Sequence, residues 1–70
     1  MKIRIIASSP VDGQEELNSY IGREYETVEL KKHYDKDTVK EMNELGEVAV
    51  YLEENDKWLS IINKNEYEVL

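Results

Sequence analysis

Polar and apolar residues alternate from the start of the chain. Lys2-Ile3-Arg4-Ile5 has the two-residue period of a half-buried strand, and the pattern predicts strand one over residues 2–7. Ser8-Ser9-Pro10-Val11-Asp12-Gly13 then has loop chemistry. Gln14 to Ser19 reads as a short helical turn with acids at its start, where the helix dipole favours them, and Gly22 closes the excursion. Arg23 to Lys31 reads as strand two. Tyr25 and Thr27 share one face and Val28 and Leu30 the other, so a bulge or sharp bend is expected near Thr27-Val28.

The pattern changes period after Tyr34. Val39, Met42 and Leu45 recur at three-residue spacing, which predicts the one convincing helix over 35–46. Asp37 or Thr38 is expected to accept the first free N–H groups, and Thr38 with Glu41 has capping-box spacing. Gly46 stands where a left-handed terminator is wanted. Alternation returns in residues 47–53, followed by the polar turn Glu54-Asn55-Asp56-Lys57 and a returning strand from Trp58 to Ile62. Asn63-Lys64-Asn65 makes a tight turn before a last strand, Glu66 to Leu70. A hairpin centred on Asn55-Asp56 sets Leu52 opposite Leu59 and Val50 opposite Ile61 on a core face. Tyr51, Trp58 and Ile62 then share the other face, with the two aromatics diagonal to each other.

With 70 residues the chain is one domain. It has no cysteine and a single histidine, so disulfides and thiolate metal sites are excluded and the fold rests on packing and hydrogen bonds. No stretch approaches the ~20 apolar residues of a membrane span. The apolar run Ile5-Ile6-Ala7 is too short for a signal h-region, so a soluble, cytoplasmic chain without membrane association is expected. Nine basic against 16 acidic residues give a net charge of −7, which repels phosphate backbones and favours a basic partner.

Candidate chemistry is sparse. The three glycines are far apart and make no phosphate loop, and no cofactor motif is present. His33, beside Tyr34 and Asp35, reads as a loop histidine rather than a general base, and Ser8-Ser9 as turn residues rather than nucleophiles. The acids lack the spacing of a calcium loop. The best candidate is an aromatic protein-binding patch of Tyr51, Trp58 and Ile62, extended by Tyr34. A second group, Lys31, Lys32, Lys36 and Lys40, clusters around the helix.

The order strand, long loop, bent strand, helical insert, hairpin, tight turn and short last strand is the layout of an SH3-like barrel. The run Tyr20-Ile21-Gly22-Arg23-Glu24-Tyr25-Glu26-Thr27-Val28, with Trp58-Leu59-Ser60-Ile61-Ile62 and Glu66-Tyr67-Glu68-Val69-Leu70, resembles small SH3-like proteins of Gram-positive bacteria and their phages. Over its whole length the chain resembles the prophage-derived YorP family, whose function is unknown. The resemblance implies a mainly β, five-stranded SH3-like barrel with one short helix between strands two and three. It differs from peptide-binding SH3 domains: Ala7-Ser8-Ser9-Pro10-Val11-Asp12 replaces their aromatic-rich stretch, Glu47 and Val48 stand where a Trp opens their third strand, and Trp58 lies after the distal turn. Recognition of proline-rich peptides is therefore not expected.

The expectation is a monomeric, non-catalytic interaction module that binds a host or phage protein. The alternative is a nucleic-acid-associated role, through the lysine group or through acids that block a DNA-binding protein. Direct nucleic-acid binding is disfavoured by the charge.

Overall fold

Ile3 and Ile5 alternate with Lys2 and Arg4, and this pattern becomes β1 (Lys2–Ile5), with both isoleucines fully buried. The computed structural model of the chain describes residues 1–70. β1 is the centre of a three-stranded antiparallel sheet, between β2 (Glu24–Glu26) and β5 (Tyr67–Val69). Ile3 lies opposite both Tyr25 and Val69, and Ile5 opposite Tyr67. On the outer face Arg4 bridges the two flanking strands, reaching Glu24 at 3.1 Å and Glu68 at 2.8 Å.

The expected bend after β2 is present, and it changes sheets. Thr27 N–H still donates to Met1 O at 2.9 Å in the first sheet, whereas Val28 N–H donates to Ala49 O at 3.0 Å on β3 (Val48–Val50). The chain then curls into a 3₁₀ turn at Leu30–Lys32, so strand two ends well short of Lys31. The second sheet contains only β3 and β4 (Ser60–Ile62). The result is a small mixed α/β fold, with five strands in two antiparallel sheets and one helix between β2 and β3. The expectation of a mainly β, five-stranded barrel is met only in part: the five strands form two separate ladders, β2-β1-β5 and β3-β4, with no closed barrel.

The helix α1 spans Lys36–Leu45. Its cap is Asp35 rather than Asp37 or Thr38: Asp35 Oδ1 accepts the Thr38 N–H at 2.8 Å. The helix ends as its sequence predicts. Gly46 takes φ 74°, its N–H turns back to Asn43 O, and Glu47 N–H donates to Met42 O, which satisfies carbonyls that would otherwise be free. Of the three periodic residues only Met42 is buried; Leu45 is exposed.

The Thr38 amide, assisted by the Thr38 hydroxyl, holds the Asp35 carboxyl below its ordinary pKa. A carboxylate whose pKa is lowered on folding stabilises the fold fully above its unfolded pKa, and that contribution is lost as pH falls through the folded value. Urea unfolding of wild type and Asp35→Ala across an acid series is therefore expected to show a stability gap that is widest above pH ~4 and closes toward lower pH. A gap independent of pH would mean that the carboxylate charge does not contribute to the cap.

The hairpin pairs one residue out of step with its predicted register. Val48 lies opposite Ile62, Ala49 opposite Ile61 and Val50 opposite Ser60. A one-residue slip moves every side chain to the other face. Ile62 consequently leaves the predicted outer patch and is fully buried in the core with Ile3, Ile5, Leu17, Val50 and Leu52, while Leu59 and Ile61 are only half-buried. The slip follows from the connection. Residues 51–59 leave the ladder, and the turn is closed at Glu53–Asp56, where Asp56 N–H donates to Glu53 O and Asp56 Oδ2 accepts the Glu53 N–H.

The long loop after β1 is anchored by polar contacts. Glu66 is only 1% exposed, and its carboxylate accepts Ser9 N–H at 2.6 Å and Asn63 N–H at 2.8 Å. Asn63 accepts the Glu66 amide in return through the reciprocal capping box that opens the 3₁₀ turn Lys64–Glu66. Asn63 and Gln14 exchange side-chain amide hydrogen bonds, and Ser8 Oγ accepts the Leu17 N–H. Ser8 thus holds Leu17 in the core, which is a structural use of its hydroxyl.

Candidate interaction surface

The β3–β4 connection and the Leu30–Asp35 corner meet on one side of the molecule. Between them lies a cleft of about 340 Å³ lined by His33, Tyr34, Tyr51, Lys57, Trp58 and Leu59. The structure thus brings together three of the four residues expected in the aromatic patch, Tyr34, Tyr51 and Trp58, and places the fourth, Ile62, in the core. Trp58 is 84% exposed and Tyr51 is 41% exposed. Trp58 projects because its segment lies outside both ladders, where no strand or helix stacks over it. Tyr20 turns the other way and packs against the core.

A second cleft, of about 280 Å³, adjoins the first, with Lys57, Trp58 and Leu59 common to both. Its far wall is the Gly13–Glu15 part of the long loop. Ser60 Oγ–H donates to Glu15 Oε2 at 3.0 Å and ties that wall to β4. Asp56 is also part of this cleft.

The electrostatics here are acidic. Burial first, and then the nearby charges of Glu53, Glu15 and Asp56, raise the Tyr20 phenol above its ordinary pKa. Arg23 partly offsets them: it pairs with Glu53 at 3.2 Å and lies 5.2 Å above the Tyr20 ring centroid. His33 is exposed and forms no side-chain hydrogen bond, because its neighbour Asp35 is engaged by Thr38, so no carboxylate orients the imidazole as a base.

The lysine group lies on separate elements. Lys31 and Lys32 are in the 3₁₀ turn and Lys36 and Lys40 are one turn apart on α1, all exposed. Acids interrupt them. Lys32 pairs with Glu29 at 3.3 Å, and Lys36 and Lys40 share their shallow surface with Asp37 and Glu44.

Sequence reading missed Glu66, the one buried charged residue. The signal was present: Asn63 followed three residues later by Glu66 has capping-box spacing.

No protein-family model, curated protein or solved structure matches the chain. No helix is long and apolar enough to cross a membrane.

Proposed function

We propose that the chain is a non-catalytic protein–protein interaction module of phage or prophage type, acting on a host or phage protein through the surface around Trp58. The observation that carries this reading is the exposure of Trp58, 84%, beside Tyr51 and Tyr34 in a single cleft. A large aromatic ring left in water costs solvation free energy that a partner recovers by covering it, and such rings dominate binding at protein interfaces. The domain architecture we infer is an SH3-like barrel opened at one seam. Three observations support it: the strand order β2-β1-β5, the transfer of the chain between sheets at Thr27-Val28, and the short turn before β5.

Trp58→Ala is expected to leave stability within about 0.5 kcal/mol of wild type, because the ring is exposed. It is expected to weaken partner affinity by roughly 30-fold or more, the loss typical of a central aromatic anchor. The test is capture of partners from nuclease-treated host lysate on immobilised wild-type and variant protein, identification by mass spectrometry, and titration of the purified partner. A folded Trp58→Ala protein with undiminished affinity would refute the proposed surface.

A further inference from the structure

We propose that the occupant of the Trp58 ridge is a cationic segment of a partner protein, with an arginine or lysine side chain in the Glu15–Asp56 cleft and an adjacent apolar side chain in the Tyr34–Tyr51 cleft. This names the partner chemistry for the interaction-module reading and rests on it.

Lys57, Trp58 and Leu59 are common to two clefts of different character. One holds Tyr34, Tyr51 and Leu59, which suits an apolar side chain. The other holds Glu15, Asp56, Gln14 and Ser60. Its carboxylates are only partly engaged: Glu15 Oε2 accepts from Ser60 and Asp56 Oδ2 from the Glu53 amide, which leaves Glu15 Oε1 and Asp56 Oδ1 without a protein donor. Neither acid forms an ion pair, a condition shared with most of the 16 acids, so what sets these two apart is that they line one cleft with Trp58.

A cation entering this cleft meets two free carboxylate oxygens on its walls and the Trp58 ring along the ridge. A ring face adds a cation–π attraction, strongest for tryptophan. Lys57 is the opposing charge on the ridge, and it forms no ion pair. The net charge of −7 extends the same preference over the whole surface and speeds encounter with a basic partner. The two clefts share three consecutive residues, so an extended peptide crossing the ridge places neighbouring side chains in both.

The test uses the intact chain and two capped peptides, one alternating arginine with leucine and the other with each arginine replaced by glutamine. Trp58 is the one tryptophan, so its fluorescence reports the ridge directly, and amide NMR shifts locate the contact. The arginine peptide is expected to bind saturably, shifting the Trp58 indole and the amides of Glu15, Asp56 and Ser60, and to bind about tenfold more tightly than the glutamine peptide. The double variant Glu15→Gln, Asp56→Asn is expected to lose roughly the same factor, since each exposed charge pair contributes about a two- to fivefold effect. Added salt is expected to narrow the difference.

Equal affinity for the two peptides, or an undiminished double variant, overturns the cationic partner. Absence of saturable binding by the arginine peptide overturns it as well. The interaction-module reading fails separately, only if Trp58→Ala also keeps full affinity for the captured partner. An arginine peptide that binds but shifts amides elsewhere, around Glu41 and Glu44 for example, overturns the assignment to this ridge.

Discussion

Glu66→Ala is expected to destabilise the fold by about 2–4 kcal/mol. The Glu66 carboxylate is 1% exposed and accepts the Ser9 and Asn63 amides, and no cation stands behind it. Removing it leaves two backbone donors without partners, at a cost of about 1–3 kcal/mol each when they stay buried. A domain of this size typically has only about 3–5 kcal/mol of net stability, so the loss removes a large share of it. The damage is expected to spread along the loop. Ser9, Gln14 and Asn63 are linked through the same contacts, and Leu17 reaches the core from the loop they anchor. Glu66→Gln keeps one acceptor but turns an amide donor toward the second N–H, so it should fall between wild type and alanine. Urea unfolding followed by circular dichroism gives the order, and hydrogen exchange at the Ser9 and Asn63 amides gives the mechanism. An alanine variant within about 1 kcal/mol of wild type would mean that water satisfies these amides, and that the carboxylate is dispensable.

Ile62→Ala is expected to cost about 2–5 kcal/mol, whereas Ile61→Ala costs about 1 kcal/mol. The two residues are adjacent and chemically identical, and only the hairpin register separates them. In the observed pairing Ile62 is fully buried beside Val50 and Leu52, and Ile61 lies opposite Ala49 on the other face, half-buried. The alternative register, with Val50 opposite Ile61, reverses the order of the two costs. Chemical denaturation of both variants therefore reads the register without a structure. Equal losses would mean a hairpin that samples both pairings, a weakness of strands that are apolar on both faces.

Much of the fold was legible along the chain because its signals are local. The polar–apolar alternation of Lys2-Ile3-Arg4-Ile5, the three-residue spacing of Val39, Met42 and Leu45, and Gly46 at the helix end act on neighbouring residues, and each produced the element it predicts. The conflict of faces at Tyr25, Thr27, Val28 and Leu30 correctly located the bend, because a strand cannot serve one core with both faces. The same residues did not reveal that the chain curls into a 3₁₀ turn beyond the bend. Nor did they reveal that the five strands form two separate sheets.

The candidate surface divides in the same way. Tyr51 was recognisable as an outward residue because its neighbours in sequence, Val50 and Leu52, supply the core face, whereas Trp58 was placed outward by a hairpin register that is not the one formed. The place of Ile62 was not recognisable. Val48-Ala49-Val50 and Ile61-Ile62 are apolar at every position, so a period of two cannot choose between registers, and the choice fell to the closure of the Glu53–Asp56 turn. The pairing of an acidic cleft with an aromatic one at Trp58 was equally hidden, since Glu15 and Asp56 in one and Tyr34 in the other come from segments far apart in sequence. By itself the sequence determined the first strand, the helix and its glycine end, the acidic charge and the absence of cysteine chemistry, because these depend on residue type and on neighbours a few positions away. Tertiary structure alone decided the register, the open seam between the sheets, the burial of Glu66 and the two clefts at Trp58, because each depends on which distant segment occupies the space beside it.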